Sequence, residues 1–119
     1  MNDYQKLEVW QLSKDVCVKV YKLTENFPSK EIYGITNQIR RSSISIASNL
    51  AEGSGRRGKR DFLKFVGYAI GSANELETQL IISKELEFIS HKDFEELIEE
   101  LIIIKKMLFN LSKYLNSKL

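Results

Sequence analysis

The chain has 119 residues, 43% hydrophobic, 29% charged and 10% aromatic, with a net charge of only +2. That balance excludes a disordered polyelectrolyte and points to one folded domain over residues 1–119, near the size at which exposed apolar surface favours oligomers. The longest apolar run, LIII at 101–104, is too short for a membrane span, and MNDYQKLEVW lacks a basic-then-apolar leader, so a cytoplasmic protein is predicted.

A single proline and six glycines leave long stretches free for helix. From Tyr4 to Phe27, the residues Leu7, Trp10, Cys17, Val20, Leu23 and Phe27 recur at steps of three, four or seven, one stripe of an amphipathic helix. That stripe makes Cys17, the only cysteine and so without an internal disulfide partner, a small core residue. Phe27-Pro28 ends the helix, because proline disfavours helix in the residue before it. After SKEIYG, Thr36 is placed to cap a second helix reaching about Glu52, with Ile35, Ile39, Ile46 and Leu50 on its apolar side; the GSG at 53–55 breaks it.

A third helix is predicted from Lys59 to about Leu86. Its apolar face carries Phe62, Phe65 or Val66, Ala69 or Ile70, Ala73, Leu76 and Leu80. Ser90 followed by Asp93 resembles a capping box that opens a fourth helix, with Phe94, Leu97, Leu101, Ile104, Leu108, Leu111 and Leu115 inward. No alternating strand pattern competes. Short connections force sequential helices to run antiparallel, so the predicted fold is all-α, an up-down-up-down antiparallel four-helix bundle. Ile98, Ile102, Ile103 and Phe109 widen the apolar face of the fourth helix beyond what one core needs, and this surplus predicts a homo-oligomer.

The charge is concentrated. Residues 38–68 carry seven cations, Arg40, Arg41, Arg56, Arg57, Lys59, Arg60 and Lys64, against Glu52 and Asp61, a net +5, whereas the first 37 residues sum to zero and residues 69–119 to −3. Arginine forks, lysine charge and backbone N–H groups at a helix start all favour phosphate, so these seven are the candidate nucleic-acid contacts, RNA or DNA. A solvated basic loop would have the same composition, and no aromatic residue interrupts the GSGRRGKR stretch to stack bases. On the second helix, Gln38, Arg41, Ser42, Ser45, Asn49 and Glu52 form a polar stripe, while Ser43, Ala47, Ser48 and Ala51 stay small enough for another helix to come close. Glu75 on the third helix is the expected partner of Arg41 in a partly buried pair, within the bundle or between subunits.

The residue pattern offers little for catalysis. His91 is the only histidine, has no cysteine or histidine companion at metal-ligand spacing, and stands at a helix start, where capping or exposure is expected. Glu95, Glu96, Glu99 and Glu100 lack the Glu-x-x-His pairs of a di-iron bundle and read as a solvated face. The glycines at 53, 55 and 58 do not make a Walker loop, and no triad pattern is present. A non-enzymatic protein without cofactor or metal is expected.

Three strings, LEVWQLSKDVCVKVYKLTENFP, YGITNQIRRSSISIASNLAEGSGR and FLKFVGYAIGSANELETQL, resemble the four-helix-bundle family first described as proteins encoded by intervening sequences within large-subunit ribosomal RNA genes. The match runs over about residues 4–89. It is most specific at Val9-Trp10, in the QIRR…SI…N-L-AEG block at 38–53 and in GS..ELET at 71–78. The resemblance implies a small bacterial bundle that assembles as a homopentamer, relatives that serve as accessory proteins to reverse transcriptases, and nucleic-acid association rather than chemistry. Arg40, Arg41, Arg56 and Arg57 fall in the family's basic block; Lys59 and Arg60 fall where the family varies. A reverse transcriptase or another protein encoded nearby is an implied partner. The alternative is a scaffold or assembly adaptor that uses the basic loop to dock an acidic protein and has no nucleic-acid role.

Overall fold

The four helical stretches fold as four α-helices in the computed structural model, which describes residues 3–119: α1 (Glu8–Thr24), α2 (Ile35–Ser54), α3 (Lys59–Glu85) and α4 (His91–Ser117). Of the N-terminal stretch, Met1 and Asn2 lie outside the described residues. Short 3-10 turns at Tyr4–Lys6 and Ser29–Glu31 lead into α1 and α2. The longest helices have 27 residues, about 40 Å at 1.5 Å per residue, in a molecule of 45 × 23 × 20 Å. They therefore lie side by side. α1 packs on α2, α2 on α3, α3 on α4 and α4 back on α1, and diagonal pairs stay apart. This ring, with its short connections, makes the bundle.

The core is mostly apolar, with Ile39, Ile46, Leu50, Leu76, Leu101 and Ile104 fully buried, and it also takes in the hydroxyls of Ser13, Ser43 and Ser83. α3 resolves its two ambiguities in favour of Val66 and Ala69. α4 starts as predicted, with the Ser90 hydroxyl accepting from the Asp93 N–H at 3.1 Å. Between them, Glu87 adopts a left-handed φ of 62°, and the Phe88 N–H reaches the Ser83 carbonyl at 2.9 Å, closing the C-terminus of α3 as a Schellman motif.

Four local expectations are corrected. The buried stripe of α1 is Val9, Ser13, Val16, Val20 and Thr24, rotated from the predicted one, with Leu7, Trp10 and Leu23 on its flanks and Cys17 half-buried. Ser13 and Thr24 can be buried because their hydroxyls donate to the carbonyls of Val9 and Val20, at 2.7 and 2.8 Å. Thr36 does not cap α2. The cap position is Gly34, and Thr36 lies in the first turn, buried.

The GSG is also not a break at its first residue, since α2 continues through Gly53 and Ser54. A Cβ on Gly53 would lie 2.5 Å from the Cβ of Phe65, so this glycine brings α3 close to α2. Lastly, Ile98 packs against the core, whereas Ile102, Ile103 and Phe109 are exposed on two sides of α4. Ile103 faces a groove shared with α1, and Ile102 and Phe109 flank a hollow with Lys105 and Lys106. No helix among the described residues is long and apolar enough to cross a membrane.

Candidate nucleic-acid interface

The turn from α2 to α3 is built by two glycines. Gly55 takes the C-cap of α2, and Gly58 has φ 86° and ψ 168°, a backbone region that L side chains rarely adopt. Gly58 is also the N-cap of α3, where no side chain satisfies the first-turn N–H groups. The start of a 27-residue helix and its positive dipole end are thus left at the surface beside the cations.

Five of the seven predicted cations gather here: Arg56, Arg57, Lys59, Arg60 and Lys64, all exposed. Arg56 is held in place. Its guanidinium donates to Glu52 at 2.7 Å and lies 5.0 Å from the ring centre of Phe65. Arg57, Lys59, Arg60 and Lys64 have no carboxylate within ion-pair distance among the described residues. Their charge faces solvent, with Asp61 the one acidic residue in the first turn of α3.

The other two cations lie elsewhere. Arg40 and Arg41 are on the opposite end of α2, 16 residues from Arg56, or about 24 Å along the helix. Arg40 is half-buried and engaged: its Nε donates to the Thr24 hydroxyl at 2.7 Å, an Nη to the Tyr21 carbonyl at 3.4 Å, and its guanidinium lies 5.0 Å from the centre of the Tyr21 ring. It satisfies the C-terminal end of α1, where a cation also suits the helix dipole. Arg41 is exposed, at the edge of a groove between α2 and α3 with Gln38 and Glu75. No Arg41–Glu75 ion pair forms within the chain; both side chains face solvent.

Below that edge the polar stripe acts as a seam. The Ser42 hydroxyl donates to the Gln79 side-chain oxygen at 2.5 Å and the Ser72 hydroxyl to Ser45 at 2.8 Å, while the Asn49 amide donates to the hydroxyl and carbonyl of Ser45, both at 2.9 Å. Small hydroxyls let the two helices approach and also join them. Gln38 remains exposed at the rim, and Glu52 serves Arg56.

Folding gathers aromatic residues beside the basic turn. Phe65 carries Arg56, Tyr68 packs edge-on against Phe65 with centroids 5.5 Å apart, and Tyr114 arrives from the last turns of α4. The ends of α2, α3 and α4 surround a cleft of about 540 Å³, its rim formed by Arg56 and Lys59 and its floor by Leu7, Phe62 and Leu111. The signal was available: position 114 falls one residue before the inward Leu115, at the end of a helix that must return to this side.

His91 is exposed at the start of α4, its ring 3.8 Å from Glu95. Among the described residues no three His, Cys, Asp or Glu side chains converge as a metal-ligand set.

The family model described as 23S rRNA-intervening sequence protein matches residues 5–110. Among solved structures, the chain is similar to a crystal structure of a protein with unknown function from the S23 ribosomal protein family of Bacteroides thetaiotaomicron, with a TM-score of 0.79 and 27% identity, over 88% of this chain and 98% of that one. No curated protein matches the chain.

Proposed function

The chain belongs to the 23S rRNA-intervening sequence protein family, and from that premise we propose that it is a non-enzymatic, oligomeric helical bundle that associates with RNA or another nucleic acid through the α2–α3 end of the molecule. One observation carries the reading: Arg57, Lys59, Arg60 and Lys64 stand exposed and unpaired around the uncapped start of α3, while the remaining cations of the basic block are engaged or remote. Solvated cations beside a helix N-terminus bind phosphate without reading base sequence. The ligand is therefore recognised by its backbone charge.

The exposed Ile102, Ile103 and Phe109 support self-association, with the pentamer implied by the family resemblance as the assembly. In a closed ring each basic end recurs once per subunit, so weak phosphate contacts add by effective concentration. A homopentamer mass by light scattering supports this part; a monomer at micromolar protein removes it. For binding, labelled RNA and duplex DNA are titrated against the parent and against a variant with Arg56, Arg57, Lys59 and Arg60 all changed to alanine. The parent binds both at low salt, and the variant loses most of that affinity while melting as the parent does. No binding by the parent, together with capture of one defined acidic protein, establishes the adaptor role instead.

A further inference from the structure

The cleft at the basic end has a composition that solvated cations alone do not require. We propose that it takes an unpaired nucleobase, so that single-stranded RNA is the preferred ligand and one base per subunit leaves the strand to enter the bundle end. This rests on the reading of that end as a phosphate-binding surface.

The cleft, about 540 Å³, lies within the roughly 300–1,000 Å³ of ligand-binding clefts. Its floor is Leu7, Phe62 and Leu111, and the Tyr114 ring on its wall is 54% exposed, a large aromatic surface left uncovered at the end of a folded helix. Lys118 lies over that ring, 5.6 Å from its centre. Asp3, exposed at the edge of the cleft, presents a carboxylate that accepts the Gln5 N–H at 3.1 Å and caps the Tyr4–Lys6 turn. A phosphate would meet apolar carbon in the interior. It belongs on the rim, with Arg56 and Lys59.

What suits the interior is a flat, uncharged, partly apolar group attached to that phosphate, with N–H groups that the Asp3 carboxylate at the edge can accept from. A nucleobase has these properties, and stacking on an aromatic ring tolerates any base. A base held in a duplex cannot enter without being unpaired, which costs a few kcal/mol. Preference for single strands follows.

The test compares a short labelled oligouridylate with an RNA duplex of equal length, for the parent, Tyr114→Ala, Tyr114→Leu and Tyr114→Trp. Loss of one stacking partner weakens single-strand binding about tenfold in the alanine and leucine variants. Duplex binding stays at the parent value, and tryptophan retains or improves the single-strand affinity. With 5-iodouridine in the strand, photo-crosslinks map to Tyr114 by mass spectrometry. Because Tyr114 is exposed, the variants keep the parent's helical content; if the alanine variant does not, the leucine variant decides alone. Equal losses on both ligands, no loss on either, a changed oligomer mass, or crosslinks confined to residues outside the cleft each overturn the cleft assignment while the phosphate-binding reading stands. A parent that binds neither ligand overturns both.

Discussion

Near the start of α2, Arg40 directs its guanidinium into the protein, onto Thr24, Tyr21 and the end of α1; beyond the other end of α2, Arg57, Arg60 and Lys64 are exposed and, among the described residues, make no ion pair. The residue types are the same and the jobs differ. What separates them is the neighbourhood. Arg40 faces a helix C-terminus with carbonyls to satisfy, whereas the turn around Gly58 opens a helix N-terminus, which has donors of its own and repels further donors. Cations near such an N-terminus gain nothing by folding back, and remain available to an anion.

The sharpest way to break this contrast is at Gly53, which governs the geometry of the basic end. Gly53→Val places branched carbon into the Cβ of Phe65, the residue that carries Arg56, and overpacking there costs about 3 kcal/mol. Melting temperature and RNA affinity should fall together. Next, Arg40→Ala removes charge-assisted hydrogen bonds from a half-buried site and costs about 1–3 kcal/mol by denaturant unfolding, with nucleic-acid affinity unchanged. Loss of affinity in a stably folded Arg40→Ala protein would erase the distinction between the two ends.

Lys19 is an intermediate case. It pairs with Glu100 between α1 and α4, and that hydrogen bond, with the nearby Glu96 and Asp15 charges, raises its pKa above 10.5 against a smaller opposing effect of burial. A raised folded-state pKa gives stability that is complete below pH 10.5 and fades as pH climbs through the higher folded value. The ammonium is half exposed, so Lys19→Met costs less than about 1 kcal/mol at neutral pH, and the difference from the parent shrinks in alkaline buffer. The smallest effect is expected of Arg41→Ala, within about 0.5 kcal/mol of the parent, because no partner is lost. A larger loss would show that Arg41 and Glu75 pair across subunits.

Much of the fold was legible in the periodicity. The start of α3 at Lys59, the Ser90 cap and the inward Leu97, Leu101, Ile104 and Leu108 follow from spacing alone. The rotated stripe of α1 was hidden because Ser13 and Thr24 are polar in sequence but satisfy themselves on their own helix, which an apolar count misses. Gly53 reads as a breaker for a similar reason: only the approach of Phe65 reveals that it is a packing residue. The candidate site was half legible. Charge density located the cations, but most of the length of α2 separates two of them from the rest, and Tyr114 joins the site from 50 or more positions away through the return of α4.

The central claim, that one end of the molecule holds the available charge, is tested most directly by the salt dependence of binding. Affinity for duplex DNA is measured against salt for the parent, the Arg56, Arg57, Lys59 and Arg60 quadruple alanine variant, and an Arg40, Arg41 double alanine variant. Each phosphate contact contributes about 0.9 to the slope of log K against log salt. The account predicts a steep slope for the parent and the double variant, and a slope shallower by about 0.9 for every contacting cation removed in the quadruple variant. A quadruple variant as steep as the parent, or a double variant that flattens the slope as much, would contradict it.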